Sequence, residues 1–477
     1  RMSILNVNKI NPVGGGSTIT IAGIASVTNN VSVSGSIVAG TTITGEHHGD
    51  ASNLTSIPAG NLTGTVADAR LSTVSSSKLS GALPALDGSA LSGVGVGTDG
   101  SINTTGIITA TTLNYTGNQN LSHRNLIING DMNIAQRGTS STSSGYETVD
   151  RFSCKFAGLD ESATQAQVDV ASGTTPYTLG FRKAFKITNG NQTSGAGSGD
   201  YIHIRTKLEG QDIANSGWNY TSTSSFITLS FWVKSSVAQN FQGRLETQDG
   251  TKYNYAYETG SLSADTWTKI TKTIPGNSNL QFDNDNGNTI EIYIYPFLGT
   301  DQTDNSVTND AWAAYASGTR TKDNTSTWYT TNDATFEITG VQLEVGPVAT
   351  PFEHRTVADE IMRCYRYYYA HKGMLWGITS AGDHLDLNLT YPVPMRTTPS
   401  RTQVDTSLLF KNRLDQENST SATTYSYSGA VSPTGDFWVA RPGSGDSWGI
   451  NYTTTDTHAV YWHPHEGTTS YAWSAEL

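Results

Sequence analysis

Five groups of residues have types and spacings that suggest chemistry. Gly445-Asp446-Ser447-Trp448-Gly449 fits G-x-S-x-G, a spacing that exposes a serine nucleophile only between a parallel strand and a helix. Strand-like residues and turns surround it here, so a hairpin loop is expected. His463, Pro464, His465 and Glu466 hold metal-ligating types, but the proline keeps them from converging within one chain. His47 and His48 are adjacent and converge only if three chains meet on an axis, where one imidazole from each could hold an axial metal ion or anion. Asp283-Asn284-Asp285-Asn286-Gly287, followed by Glu291, resembles the oxygen-rich start of a calcium loop, because Ca²⁺ takes several carboxylate and amide oxygens around a tight turn. It lacks the length of a full calcium hand, and an Asn-Gly hairpin turn is the competing reading. A structural Ca²⁺ at Asp283, Asp285 and Glu291 or an axial ion at His47 and His48 is thus the only inorganic group suggested; no organic cofactor is expected.

The fifth group is aromatic. Sugars are held by flat rings against their apolar face, with amides and carboxylates on their hydroxyls. Trp312, Tyr315, Trp328 and Tyr329 lie in a long polar stretch from Gly299 to Asp333 without clear strands, and long aromatic loops are more often functional than filler. Trp448 and Trp462 are the further glycan-binding candidates. Trp232 and Trp267 sit in strand patterns and are expected in the core. Glycoside cleavage would need two carboxylates flanking the scissile bond. Asp and Glu are scattered through loops, so the chain is expected to be no enzyme.

The elements that must position these residues follow from composition. The chain has 477 residues, 48 of them glycine, and 36% hydrophobic content, enough for about three domains. A net charge of -12 leaves no basic stripe for phosphates, so nucleic-acid binding is not expected. No run approaches the roughly 18 apolar residues of a membrane span, and the N-terminus lacks a charged region before an apolar signal core. A soluble chain made in a cytosol, without membrane insertion, is therefore expected. Cys154 and Cys364 are too few for a disulfide framework and are expected to be reduced and buried.

Residues up to about Tyr115 contain no Trp or Phe and alternate small polar with aliphatic residues, as in Thr18 to Ile21. Leu54, Leu62, Leu71, Leu79 and Leu91 each begin a short Leu-Ser/Thr unit that is too small to bury its leucine alone. Three chains side by side would turn these leucines toward one axis, giving a thin homotrimeric shaft. Beyond His123 come eight strand-like runs, from Phe181 to Val345, separated by Asp249-Gly250, Pro275-Gly276 and Asn286-Gly287 turns. Such a series predicts an antiparallel sandwich or jelly roll. Thr356 and Asp359 then make a capping pair for a helix whose Val357, Ile361, Cys364, Tyr365 and Tyr368 share one face. Further strand runs follow to Leu477.

The expected architecture is mainly β. It runs as an N-terminal strand segment for attachment (1–45), a β-rich fibrous trimeric shaft (46–123), a central antiparallel jelly-roll sandwich of carbohydrate-binding type (124–355), one linking α-helix (356–370) and a small C-terminal β domain (371–477). The stretch from Val341 to Tyr369 is expected to be a rigid, buried joint.

Seven motifs in order carry a resemblance: NLIINGDMNIAQRG (Asn125 to Gly138) with VDRF, FITLSFWVKSS, WTKITKTIPG, VQLEVGPVATPFEHR, MRCYRYY, YPVPMRTTPS and the terminal AWSAEL. Together they resemble bacteriophage tail-fibre proteins with carbohydrate-binding-module-like jelly rolls, and the earlier SNLTSIPAGNLTGTVADARL resembles cyanophage shaft segments. Ala135 departs from the pattern, since many relatives carry an aromatic residue there; a strand is expected to survive. The resemblance implies a homotrimeric virion protein that attaches to other phage tail proteins through its N-terminus and meets host surface polysaccharide or lipopolysaccharide. A purely structural collar, baseplate or capsid fibre is the alternative, and a polysaccharide depolymerase the third.

Overall fold

Strict alternation along the central strands builds the sandwich, because each strand turns one row of side chains inward and the other out. In the computed structural model the described residues are 32, 34, 123–372, 375–380, 384–403, 408–412, 417–420, 428–440, 459–464 and 471–477. The chain divides into compact units 1–109 and 110–477, and the description below concerns the second. The expected attachment segment, the shaft, His47, His48, the Ser447 pentapeptide and Trp448 lie outside the described residues.

Twelve strands form the sandwich: β1 Ser140–Ser141, β2 Ser153–Ala157, β3 Thr164–Asp169, β4 Lys183–Thr188, β5 Tyr201–Glu209, β6 Phe226–Ser235, β7 Asn240–Thr247, β8 Tyr253–Ser261, β9 Thr268–Pro275, β10 Asn288–Leu298, β11 Ala311–Ala314 and β12 Thr335–Val345. Short helices α1 (Thr175–Thr178), α2 (Gly210–Ala214) and α3 (Thr327–Thr330) sit in the connections. The first sheet runs β1-β3-β4-β12-β6-β9 and the second β11-β8-β7-β10-β5-β2, with antiparallel pairing throughout. Both sheets turn aliphatic and aromatic residues inward, among them Phe185, Leu229, Phe231, Leu245, Ile292 and Ile338, and these form one contiguous core. Each such side chain contributes about 1.5–3 kcal/mol by leaving water. The expected jelly-roll sandwich is thus present. Strands β1, β2, β3 and β11 carry little sequence signal because they are short, polar or edge-placed.

Three expectations need correction. Trp232 lies between Phe231 and Val233, which are fully buried, so alternation turns it outward. It packs with Trp267, Tyr177, Phe181 and Phe352 on the outer face of the first sheet, so neither tryptophan belongs to the main core. The opening motif from Asn125 to Gly138 holds no strand. It is a tight coil whose Asn129 side chain donates to Ile134 O at 2.8 Å and Asp150 O at 2.9 Å, while Asn125 donates to Val341 O at 3.1 Å. Gly130 is obligatory there, since a Cβ would stand 2.1 Å from Val341 O. Finally, the helix α4 spans Val357–Tyr365, not 356–370. Thr356 caps it as expected, accepting from Asp359 N at 3.2 Å. Its buried residues are Glu360 and Cys364, whereas Val357 is 63% exposed.

The helix ends early because the next residues are claimed by the sandwich. Arg366 donates from Nε and Nη2 to the Glu209 carboxylate at 2.7 Å each, and the Tyr367 hydroxyl donates to the same group. The chain then enters β13, Tyr368–His371, which pairs with the last strand. Arg151 closes the joint: it lies 3.4 Å from the Tyr367 ring centroid, ion-pairs with Glu476 and donates to Lys207 O at 2.7 Å. The Val341–Tyr369 stretch is thus buried at residues 341–344, Glu360, Cys364 and Tyr367, while Pro347, Val348 and residues 356–359 are exposed. Cys154 and Cys364 are free and buried, as expected.

The remaining strands are β14 Leu375–Ser380, β15 His384–Thr390, β16 Ser400–Gln403, β17 Leu408–Asn412, β18 Glu417–Thr420, β19 Ser428–Val431, β20 Gly435–Ala440, β21 Ala459–Pro464 and β22 Tyr471–Ser474. They form a three-stranded sheet β13-β22-β16 and a seven-stranded sheet β18-β17-β21-β14-β15-β20-β19. The small C-terminal β region is thus two antiparallel sheets. No helix among the described residues is long and apolar enough to cross a membrane.

Candidate functional site

The outer face of the second sheet concentrates groups that a polar ligand can use. Strand β5 turns Ile202, Ile204 and Leu208 inward and Tyr201, His203, Arg205 and Lys207 outward. Strand β10 does the same with Ile290, Ile292 and Ile294 against Glu291, Tyr293 and Tyr295, and β7 presents Gln242, Arg244 and Glu246. Antiparallel register lines these up across the sheet. One row reads Ala256, Arg244, Tyr293, Arg205 and Ser153; the next reads Asn254, Glu246, Glu291 and Lys207. Gly243 faces inward, where a Cβ would stand 2.3 Å from the Tyr257 ring, so only glycine lets that ring lie under the face.

The rings form a connected cluster in which Tyr201 and His203 are half-buried and Tyr293 and Tyr295 buried. Tyr201 stacks on His203 with centroids 5.4 Å apart, and His203 meets Tyr293 and Tyr295 edge-on at 5.1 and 5.8 Å. The Arg244 guanidinium lies 4.0 Å from the Tyr293 centroid and 5.6 Å from that of Tyr315. Its Nε donates to the Tyr295 hydroxyl at 2.7 Å. Arg205 pairs with Glu291 at 3.3 Å and Lys207 with the same carboxylate at 3.1 Å, while Arg244 pairs with Glu246.

These contacts set the protonation states. Burial opposes ionisation of Glu291, but Arg205, Lys207 and the Tyr293 hydroxyl overcome it and hold the carboxyl down at about 2. Burial pushes His203 well below the usual histidine value, helped by Arg205 and Arg244, so its imidazole is neutral near pH 7. Glu246 and Glu291 face each other across β7 and β10. Glu291 has no proton to give near neutrality.

Four buried polar atoms on this sheet lack a hydrogen-bond partner: His203 Nε2, Arg205 Nε, Gln242 Oε1 and Asn288 Oδ1. Gln242 is 3% exposed. A buried polar atom without a partner is costly unless water or a ligand completes it. Such atoms beside stacked rings are what a saccharide's hydroxyls would satisfy.

The aromatic residues that the sequence singles out do not come together. Tyr315 belongs to this face, at its rim beside Arg244 and Arg320. Trp312 packs on Tyr255 at 5.2 Å and donates its indole N–H to Pro275 O at 2.7 Å, sealing an edge of the sandwich. Trp328 and Tyr329 are fully buried, with the Trp328 indole N–H donating to Thr335 O at 3.0 Å and Tyr329 stacked on Phe297. Neither offers a ring face to a ligand; the one-turn helix α3 sets both into the core between the sheets. Trp462 stands on β21, its side chain outside the described residues.

The structure does not gather the calcium candidates Asp283, Asp285 and Glu291 into one cluster. Asp285 Oδ1 accepts from Gly287 N at 2.8 Å in an Asn-Gly turn, and Glu291 lies on the sheet face bound to Arg205 and Lys207. No group of three His, Cys, Asp or Glu among the described residues is placed to hold a metal. This face is hard to see in the sequence because its rows run across five strands. Only the outward alternation of Tyr201, His203, Arg205 and Lys207 signals it.

No family model and no curated protein matches the sequence. Solved structures do. The enzymatically active domain of bacteriophage CBA120 tailspike protein 4 matches at 10% identity and TM-score 0.25, over 46% of this chain and 21% of that one. A family 4 carbohydrate-binding module matches at 12% identity and TM-score 0.24, over 46% and 98%. A family 30 carbohydrate-binding module matches at 10% identity and TM-score 0.24, over 50% and 96%. The match thus spans about a fifth of the tailspike's own length.

Proposed function

We propose that this chain is a structural and adhesive protein whose sandwich binds a cell-surface glycan, in the manner of a bacteriophage tail fibre. The observation that carries the reading is the outer face of the second sheet, where four connected aromatic rings border unpartnered buried polar atoms. The half-buried Tyr201 and His203 rings, backed by the buried Tyr293 and Tyr295, serve the apolar face of a pyranose; Gln242, His203 and Arg205 serve its hydroxyls. The seven motifs that resemble tail-fibre proteins support the virion role. A trimer with three such sites would gain avidity without any tight single site.

A glycan array probed with the full chain tests this. Binding that disappears on Tyr201→Ala with unchanged thermal unfolding supports the reading. Absence of binding to any glycan or host cell overturns it.

A second reading, docking to another virion protein, is favoured by one observation. On the outer face of the first sheet, Trp232, Trp267 and Phe352 are only half-buried, and Leu179 beside them is 51% exposed. Patches of this kind mark protein contacts. Pull-down with other virion components, lost on Trp232→Ser, would favour it.

A further inference from the structure

We infer that the ligand of the second sheet's outer face is an acidic saccharide, one bearing carboxylate or sulfate groups. This rests on the glycan-binding reading and adds the charge class to it.

The carboxylates on this face are used up, while cationic donors are left over beside the Gln242 and Asn288 side-chain oxygens. Glu291 is saturated: Oε1 accepts from Asn288 at 2.6 Å and pairs with Lys207, while Oε2 pairs with Arg205 and accepts from Tyr293. Glu246 is saturated too, with Oε1 taking Gln248 at 2.8 Å and Lys252 at 3.7 Å, and Oε2 taking Arg244. The cations are not. Arg205 Nε and, at the rim, Arg320 Nε are buried without partners. Lys155, opposite His203 on β2, is exposed and has no ion-pair partner among the described residues.

On the outward positions of the strands, Lys155, Arg205, Lys207 and Arg244 make four cations and Glu246, Glu258 and Glu291 three carboxylates. The local surplus of one positive charge, with Lys155 unpaired, stands on a chain whose net charge is -12. Spare donors ask for acceptors, and spare cations for anions. A neutral sugar would satisfy Gln242 and His203 but leave the surplus charge uncompensated; a carboxylate or sulfate oxygen supplies both.

The test compares matched polymers on the full chain: polygalacturonate against its methyl ester, and dextran sulfate against dextran. Each pair shares a backbone, and the two pairs separate carboxylate from sulfate. The expected result is at least about tenfold tighter binding to one charged polymer than to its neutral twin. It should weaken by about fivefold or more in Lys155→Glu, whose fold is unaffected because the side chain is exposed. Binding should also weaken between about 50 and 500 mM NaCl. Equal affinity within both pairs overturns the charge assignment while leaving glycan binding intact. Charge-selective binding untouched by Lys155→Glu and by Arg205→Gln places the site elsewhere and overturns the inference. No binding to any polymer overturns it together with the reading it rests on.

Discussion

The two sheets of the sandwich have opposite outer faces. On the first, Gln342 donates to Glu344 at 2.8 Å and accepts from Glu353 N at 2.9 Å, and Lys234 pairs with Glu337 at 3.1 Å. No strand of that sheet contributes a buried side-chain polar atom without a partner among the described residues, whereas four lie on strands of the second. The difference lies in where the chain itself closes its polar groups. Polar groups on the first face are closed by the Gly346–Arg355 segment that crosses it; those on the second are left half-finished around Tyr293 and Tyr295.

The largest effect expected is independent of either face. Trp328→Ala empties a fully buried site between the sheets and should cost about 3–5 kcal/mol in urea unfolding. Tyr315→Ala, at the rim, should cost less than about 1 kcal/mol yet lower glycan affinity. Equal losses of stability would mean that the loop aromatics are one structural set.

Two glutamines probe the contrast between the faces most directly. Gln342→Leu strands Glu353 N–H and part of Glu344 and should cost about 1–3 kcal/mol. Gln242→Leu removes an amide whose Oε1 has no partner, so stability should hold within about 1 kcal/mol while glycan binding falls about tenfold. A large destabilisation by Gln242→Leu would erase the contrast.

Acidification adds a third handle. His203 is held neutral in the folded chain, while the unfolded chain takes up a proton below about pH 6.5. Stability should therefore fall as pH drops through that value, by up to about 1.4 kcal/mol per unit. Glu291, at about 2 when folded, contributes stability above its unfolded value of 4.5 and loses it only as pH falls toward 2. Asp150, raised to about 6 by burial, takes up its proton in the folded chain over the same window and opposes this loss, so the histidine is isolated by comparing urea midpoints at about pH 7.5 and 5 with those of His203→Gln, which should show a smaller decline. Parallel declines in both proteins would show that His203 is not held neutral.

The smallest effect belongs to the rim of the first sheet. Lys183 and Asp169 pair at 2.6 Å, but both side chains are open to water. Lys183→Ala should change stability by about 0–0.5 kcal/mol, measured in the same unfolding assay.

The sandwich, the capped helix and the buried thiols are all legible in the amino-acid order. Period-two alternation and Asn-Gly or Asp-Gly turns act over a few residues, and the Thr356–Asp359 cap over four, so each is readable locally. Even the outward turn of Trp232 is written there, between Phe231 and Val233. Which aromatic residues face water is not. Trp328 and Tyr315 stand in one polar loop, yet one is sealed in the core between the sheets and the other lies beside Arg244. Exposure depends on what packs above a residue, and that is known only once the chain has folded. The outer face of the second sheet is of the same kind, since Tyr201, Gln242, Arg244 and Tyr293 meet through cross-strand register between residues as many as 92 positions apart, and register is a property of the closed sheet rather than of any one strand.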